Sequence, residues 1–170
     1  LPINPYAASK AAGESFVHSY SHLFGISAVC LRFFTVFGPR QRPDLAIHKF
    51  ARLISEDKPI PVYGNGKSAR DYTFVSDIVD GIIRAIEYSA SSFEIINLGG
   101  SQAVELNQLI ETLERQMNRE AKIDRMPAHP GDLDRTQANI DKARSLLGWE
   151  PHTGLDEGIS EFLEWFNSAS

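Results

Sequence analysis

The sequence predicts an α/β fold. Stretches of strand composition alternate with stretches of helical periodicity along all 170 residues. SAVCLRFF at 27–34 is apolar on both faces, as a strand covered on both sides would be. Apolar residues make up 42% of the chain, enough for a buried core, and charged residues 23%, enough to keep it in solution.

The elements follow in order. Asn4 is a good N-cap and Pro5 suits a first helical position, so a helix should run from 5 to about 24 and stop at Gly25. The strand at 27–34 comes next, then a Gly/Pro/Arg loop, TVFGPRQRPD, and a helix over about 46–56. IPVYG reads as a short strand, GNGKSA as a turn, and RDYTFV as a strand entering a helix capped by Ser76 or Asp77. FEIINLGG is another apolar strand, ending in Gly99 and Gly100. In ELNQLIETLERQMNRE, Leu106, Leu109, Ile110, Leu113 and Met117 recur at helical spacing. KIDRMP is a short strand, AHPGDLDRTQAN a loop, DKARSLLGW a short helix and LDEGISEFLEWF a closing helix.

Composition removes several functions. A net charge of −5 leaves no basic surplus to neutralise a phosphate backbone, so no nucleic-acid partner is expected. No apolar run approaches the roughly 18 residues of a membrane span, and no leader precedes the first helix, so no membrane association is expected. The lone Cys30 reads as a buried strand thiol, which fits a reducing cytoplasm. No G-x-G-x-x-G fingerprint occurs, and Gly64 and Gly66 open a polar turn, the wrong context for one. His18 and His22 stand at a chelating spacing but lack a third ligand, so no metal site is expected.

Tyr6 and Lys10 stand four apart on the first helix, so phenol and ammonium share one face. A phenol ionising near pH 10 is a poor base at neutrality. A cation beside it favours the phenolate and makes it a usable one. By itself Tyr-x-x-x-Lys fits many surface helices.

It does not occur alone. PYAASKAAGE, LRFFTVFGPRQRPDLAIHKF, IPVYGNGKSARDYTFVSDIVDGI and PGDLDRTQANIDKARSLLGW follow one another in an order and spacing that resemble the extended short-chain dehydrogenase/reductases acting on nucleotide sugars. The resemblance is strongest to the UDP-glucuronate 4-epimerase group and covers about 5–166. RFFTVFGP stands where related dehydratases tend to carry an Asn-rich turn. The resemblance implies the C-terminal part of a Rossmann-type, doubly wound fold plus a small substrate domain. It places the Tyr6 helix mid-polypeptide, so a Gly-rich nucleotide-binding half and a catalytic Ser/Thr are expected upstream. Residues 1–40 would then belong to the NAD-binding domain and 41–170 mainly to the sugar-nucleotide domain, with 93–100 returning to the Rossmann sheet.

By the same resemblance, Tyr6 removes the sugar's 4-hydroxyl proton while NAD accepts hydride from C4; the ketone turns in the site and hydride returns to its other face. Lys10 holds the nicotinamide ribose and biases Tyr6 toward ionisation, and Phe34 lays its backbone beside the nicotinamide. Thr35 is implied to touch the sugar, though a strand-end threonine can also bond its own backbone. In GPRQRPD, Arg42 is implied to face the sugar with Arg40 a bystander; both could equally be solvated loop arginines. Tyr63 corresponds to an aromatic lining a uracil pocket, Arg70 to a diphosphate-binding arginine, and Asp132 to a ribose contact, against the alternative of a turn aspartate beside Gly131. His129 replaces a second diphosphate arginine found in some relatives, and Asp134 and Asn139 also depart from commoner residues.

The expected parent is therefore an NAD-dependent nucleotide-sugar 4-epimerase, cytoplasmic, a homodimer through helix 5–24, and acting on a UDP-sugar. These 170 residues alone are expected to be inactive. The alternatives are a dTDP-glucose 4,6-dehydratase-like enzyme and a non-catalytic sugar-nucleotide-binding piece.

Overall fold

The computed structural model describes residues 2–128 and 133–168. Helix α1 (Pro5–Phe24) starts as the sequence predicts: Asn4 Oδ1 accepts the Ala7 N–H at 2.8 Å, and Pro5 sits where no N–H is needed. It ends on Gly25, whose φ of 67° is left-handed and whose N–H donates to the Ser21 carbonyl.

Strand β1 (Ala28–Phe33) follows. It pairs in parallel with β5 (Phe93–Leu98), Ala28 opposite Phe93 and Phe33 opposite Leu98. A second sheet joins β2 (Thr35–Phe37) in parallel to β4 (Ala69–Phe74), with β6 (Ala103–Glu105) antiparallel on the other side of β4. A third pairs β3 (Ile60–Tyr63) in parallel with β7 (Ile123–Met126). Helices α2 (Ala46–Ser55), α3 (Val75–Glu87), α4 (Leu106–Met117), α5 (Asp141–Leu147) and α6 (Leu155–Ser168) complete the chain.

Two hydrophobic clusters hold these layers. One gathers α2, α4 and α6 against β2, β3 and β4, around Phe37, Ile47, Phe50, Leu109, Leu113 and Phe162. The α4 spacing is confirmed there: Leu109, Ile110 and Leu113 are buried, and Leu106 and Met117 pack against them. The other lays α3 and α5 on β5 and β1, around Ile78, Ile96, Leu98, Leu147 and Trp149.

Three local expectations are corrected. Helix α3 begins at Val75, so neither Ser76 nor Asp77 caps it. Asp77 is buried in the first turn instead, and its Oδ2 accepts the Thr153 N–H at 3.0 Å. The loop after β1 contains β2, because Thr35–Phe37 finds a partner in β4 that lies 35 or more residues away in sequence. Cys30 is only half-buried. β1 does carry helices on both faces, with Val29 and Leu31 in the α3 cluster and Arg32 bonded to Glu14 of α1. Yet β1 pairs with β5 alone among the described residues, and every residue along it keeps some exposure. That partial burial raises the Cys30 thiol pKa, and the nearby Glu14 charge raises it further.

Asp71 ties the two sheets together. Its Oδ1 accepts the Gly100 N–H at 2.5 Å and its Oδ2 the Ala138 N–H at 2.8 Å, with the carboxylate fully buried. The turn after β5 therefore lies hard against β4. A Cβ at Gly100 would stand 2.5 Å from the Tyr72 carbonyl oxygen, so only glycine fits this approach.

Candidate functional site

The orientation of α1 follows from three contacts. Ser21 Oγ donates to the Ser92 carbonyl at the start of β5, His18 meets Phe93 edge-on at 4.9 Å, and Glu14 takes the Arg32 guanidinium through two bonds of 2.6 Å near the end of β1. The helix thus runs antiparallel to the strands. From Glu14 back to Tyr6 it rises about 12 Å, the length of three to four strand residues, so Tyr6 overhangs the carboxyl ends of β1 and β5. In open α/β sheets that is the edge where ligands bind.

Tyr6 and Lys10 lie on one face of that overhang, with Lys10 Nζ 5.5 Å from the centre of the Tyr6 ring. Tyr6 is 72% exposed, so its phenol is open to an incoming group. Phe34 and Thr35 come directly off the carboxyl end of β1. The Phe34 N–H donates to the Leu98 carbonyl at 3.2 Å, and the ring packs into the α3 cluster. Thr35 is half-buried and opens β2 opposite Tyr72.

Tyr63 and Arg70 meet in one groove. Its volume is about 240 Å³, and Asp44, Lys49, Pro61, Ser68, Tyr72 and Leu106 complete most of its wall. Tyr63 ends β3 and Arg70 enters β4, so the groove forms where these strands close over α2. Arg70 Nη1 donates to the carbonyls of Ala69 and Leu133, at 3.0 and 2.7 Å, which fixes the guanidinium along the wall. Burial pushes the Tyr72 phenol up to about 12, so it stays un-ionised at neutral pH. Lys49 adds a second cation that sequence reasoning did not single out; its signal was its place in AIHKF, one helical turn from the arginine loop.

Arg40 and Arg42 line a neighbouring cleft with Gly38, Pro39, Leu45 and Val75. Arg42 is solvent-exposed and its fork is closed on Asp44, Nε to Oδ1 at 3.1 Å and Nη2 to Oδ2 at 2.9 Å. This pair holds the Asp44 carboxyl below its usual range. Gln41, between the two arginines, was also missed by sequence reasoning. Its amide donates to the Val36 carbonyl at 3.1 Å and accepts the His48 N–H at 3.2 Å, pinning the loop to β2 and α2. The His48 ring in turn faces Phe162, Trp165 and Phe166 of α6. Asp132 and His129 lie outside the described residues. No cluster of metal-binding side chains occurs among the described residues, and none of their helices is long and apolar enough to cross a membrane.

Known proteins share this fold. A UDP-glucuronate 4-epimerase of Thermodesulfobacterium geofontis is 41% identical over 165 residues, 96% of this chain and 50% of the relative. A UDP-glucuronic acid 4-epimerase from Bacillus cereus, solved in complex with UDP-glucuronic acid and NAD, superposes with a TM-score of 0.93 at 34% identity, over 100% of this chain and 55% of that one. MoeE5, solved with UDP-glucuronic acid and NAD, gives a TM-score of 0.95 at 31% identity, over 100% of this chain and 57% of that one. The fold is thus the Rossmann-type α/β fold of the extended short-chain dehydrogenase/reductases, and the chain spans about half the length of the relatives it matches. The sequence profile described as GDP-mannose 4,6 dehydratase matches residues 1–162, and the chain belongs to that family.

Proposed function

We propose that this chain is the substrate-binding and proton-transferring part of an NAD-dependent nucleotide-sugar 4-epimerase acting on a UDP-sugar, with UDP-glucuronate preferred. The observation that carries the reading is the overhang of Tyr6 and Lys10 at the carboxyl edge of parallel strands, with Phe34 and Thr35 coming off that same edge. The relatives named as UDP-glucuronate 4-epimerases support the substrate class.

The residues present fit one end of NAD. Tyr6 and Lys10 offer a phenol and an ammonium on one face, suited to a ribose and the sugar's reacting hydroxyl. The pyrophosphate end finds no Gly-rich loop in these 170 residues. When bound, NAD supplies reversible oxidation at C4 of the sugar. Tyr6 takes the O4 proton in the forward half and returns it in the reverse half, so no proton is gained or lost overall. Lys10 keeps positive charge beside the phenolate, and Phe34 closes the floor at the strand end. Thr35 holds the sugar, Arg70 and Lys49 face the diphosphate, and Tyr63 packs against the base. Asp132 is proposed to contact the ribose.

Residues 1–40 with strand 93–100 are proposed to serve the cofactor side and 41–170 mainly the sugar nucleotide, α3 and α5 reaching back onto β1 and β5. The parent is proposed to be cytoplasmic and a homodimer through α1. Arg42 is proposed to read the C6 carboxylate, a charge-assisted pair of about 1.5–3 kcal/mol, or roughly ten- to a hundredfold over the C6 alcohol.

The test is kcat/KM of the intact protein for UDP-glucuronate and UDP-glucose, with product identification, in wild type and Arg42→Ala. A C4 epimer with an acid preference that Arg42→Ala narrows is expected. An unchanged acid-to-alcohol ratio removes Arg42 from specificity. The matching family is named for a 4,6 dehydratase, so a 4-keto-6-deoxy product from the neutral sugar would replace the epimerase reading with that one.

A further inference from the structure

The arginine proposed to read the substrate's carboxylate already holds one. Arg42 grips Asp44 through both arms of its fork, at 3.1 and 2.9 Å, in the two-point geometry a sugar acid would need. The pair stands between two clefts: Arg42 lines the one beneath the β2 loop, and Asp44 lines the groove that holds Tyr63 and Arg70. Both side chains are open to solvent, at 72% and 65%, so an incoming ligand can reach them and exchange is not blocked by packing. The two residues sit on one local turn, closed by the Leu45 N–H donating to the Arg42 carbonyl at 3.2 Å.

We propose that Asp44 is a specificity-determining residue, an internal stand-in that occupies the Arg42 fork until a substrate carboxylate displaces it. The inference rests on the sugar-nucleotide reading given above. Its consequence is a sign opposite to that of a supporting residue. A C6 carboxylate trades one ion pair for another and binds with a net gain smaller than its gross contact. A C6 alcohol cannot make the trade, leaves Arg42 on Asp44, and binds as though Arg42 were absent. Asp44 thereby weakens the acid while keeping the free arginine paired. An exposed ion pair is weak, so its removal should change acid binding by about two- to fivefold.

Calorimetry on the intact protein with NAD, in a Tyr6→Phe background to stop turnover, tests this with UDP, UDP-glucuronate and UDP-glucose. Asp44→Asn should tighten UDP-glucuronate by about two- to fivefold more than it changes UDP or UDP-glucose. The gain should vanish when Arg42→Ala is added, which makes the effect a coupling between the two residues. Weaker or unchanged acid binding overturns the proposal and makes Asp44 a buttress or a bystander. Equal tightening of all three ligands also overturns it, because removal of one negative charge near the diphosphate would then explain the change. Failure of wild type to bind UDP sinks the sugar-nucleotide reading and this inference with it; UDP binding without the acid-specific gain sinks the inference alone.

Discussion

Asp71 presents a buried carboxylate as the acceptor for backbone N–H groups of two separate loops. Asparagine keeps the shape but has only one acceptor oxygen, so one buried N–H loses its partner. Asp71→Asn should cost about 1–3 kcal/mol, read from urea denaturation of this chain at neutral pH. Burial raises the folded-state pKa of Asp71, and the backbone N–H bonds oppose the shift without cancelling it. For an acid whose folded pKa lies above its unfolded value near 3.9, the folded state binds more protons between the two values. The contribution of Asp71 is then fully present below the unfolded pKa and declines as pH rises through the folded one. The stability gap between wild type and Asp71→Asn should therefore narrow from acid toward neutral pH; a gap that widens would reverse the assignment. At Tyr6 the expectation concerns chemistry rather than stability. Tyr6→Phe in the intact protein should lower kcat by ~10²–10⁴-fold while leaving sugar-nucleotide affinity nearly intact by calorimetry. Retained turnover would show that another group takes the proton.

Among the elements, two helical glycines should respond to alanine with opposite signs. Gly13 lies in α1 with nothing within 4 Å of where a Cβ would stand. Alanine there adds helix propensity without a clash, so Gly13→Ala should stabilise by about 0.5–1 kcal/mol. Gly158 lies in α6, where the same Cβ would come within 2.6 Å of the Phe37 ring and 2.8 Å of Phe74. Packing outweighs propensity there, and Gly158→Ala should destabilise by about 1–3 kcal/mol. Urea midpoints of the two variants at equal slope decide the matter. Equal effects would mean that α6 does not seat on β2 and β4 as described. The contact matters for the site because α6 also holds His48, which with Gln41 anchors the arginine loop.

For the whole molecule, the surface that bears on assembly is the apolar face of α1. Phe16, Leu23 and Phe24 are 66%, 70% and 65% exposed, and Tyr20 meets Phe24 at a tilt with ring centres 5.3 Å apart. Contiguous apolar surface of this kind drives association. The chain should self-associate in light scattering as concentration rises, and Leu23→Glu should shift it toward monomer. A clean monomer at high concentration would leave α1 without the proposed dimer role. Because no phosphate-cradling loop occurs in these residues, calorimetry of this chain alone should show no micromolar affinity for NAD.

Most of the elements, and the pairing of Tyr6 with Lys10 on one face of α1, follow from the sequence alone. Helix ends were legible because Asn4, Pro5 and Gly25 act on their own neighbours. The buried stripe of α4 was legible because spacing alone decides which face a helix can bury. Tyr6 and Lys10 were legible as a pair for the same reason, four residues being one turn. Tertiary structure decided what depends on residues distant in the chain. Strands β2 and β6 are three residues each and exist only because β4 offers them ladders. Asp77 had the identity of a helix cap but was taken by Thr153, 76 positions on. Asp71 carried no local signal at all, since its partners Gly100 and Ala138 arrive from two other loops. The grip of Asp44 on Arg42 joins near neighbours, yet the two clefts it separates are built by α2, β3, β4 and the β2 loop. Local rules fix which residues can meet within a turn; only the packed chain fixes which of them face a ligand.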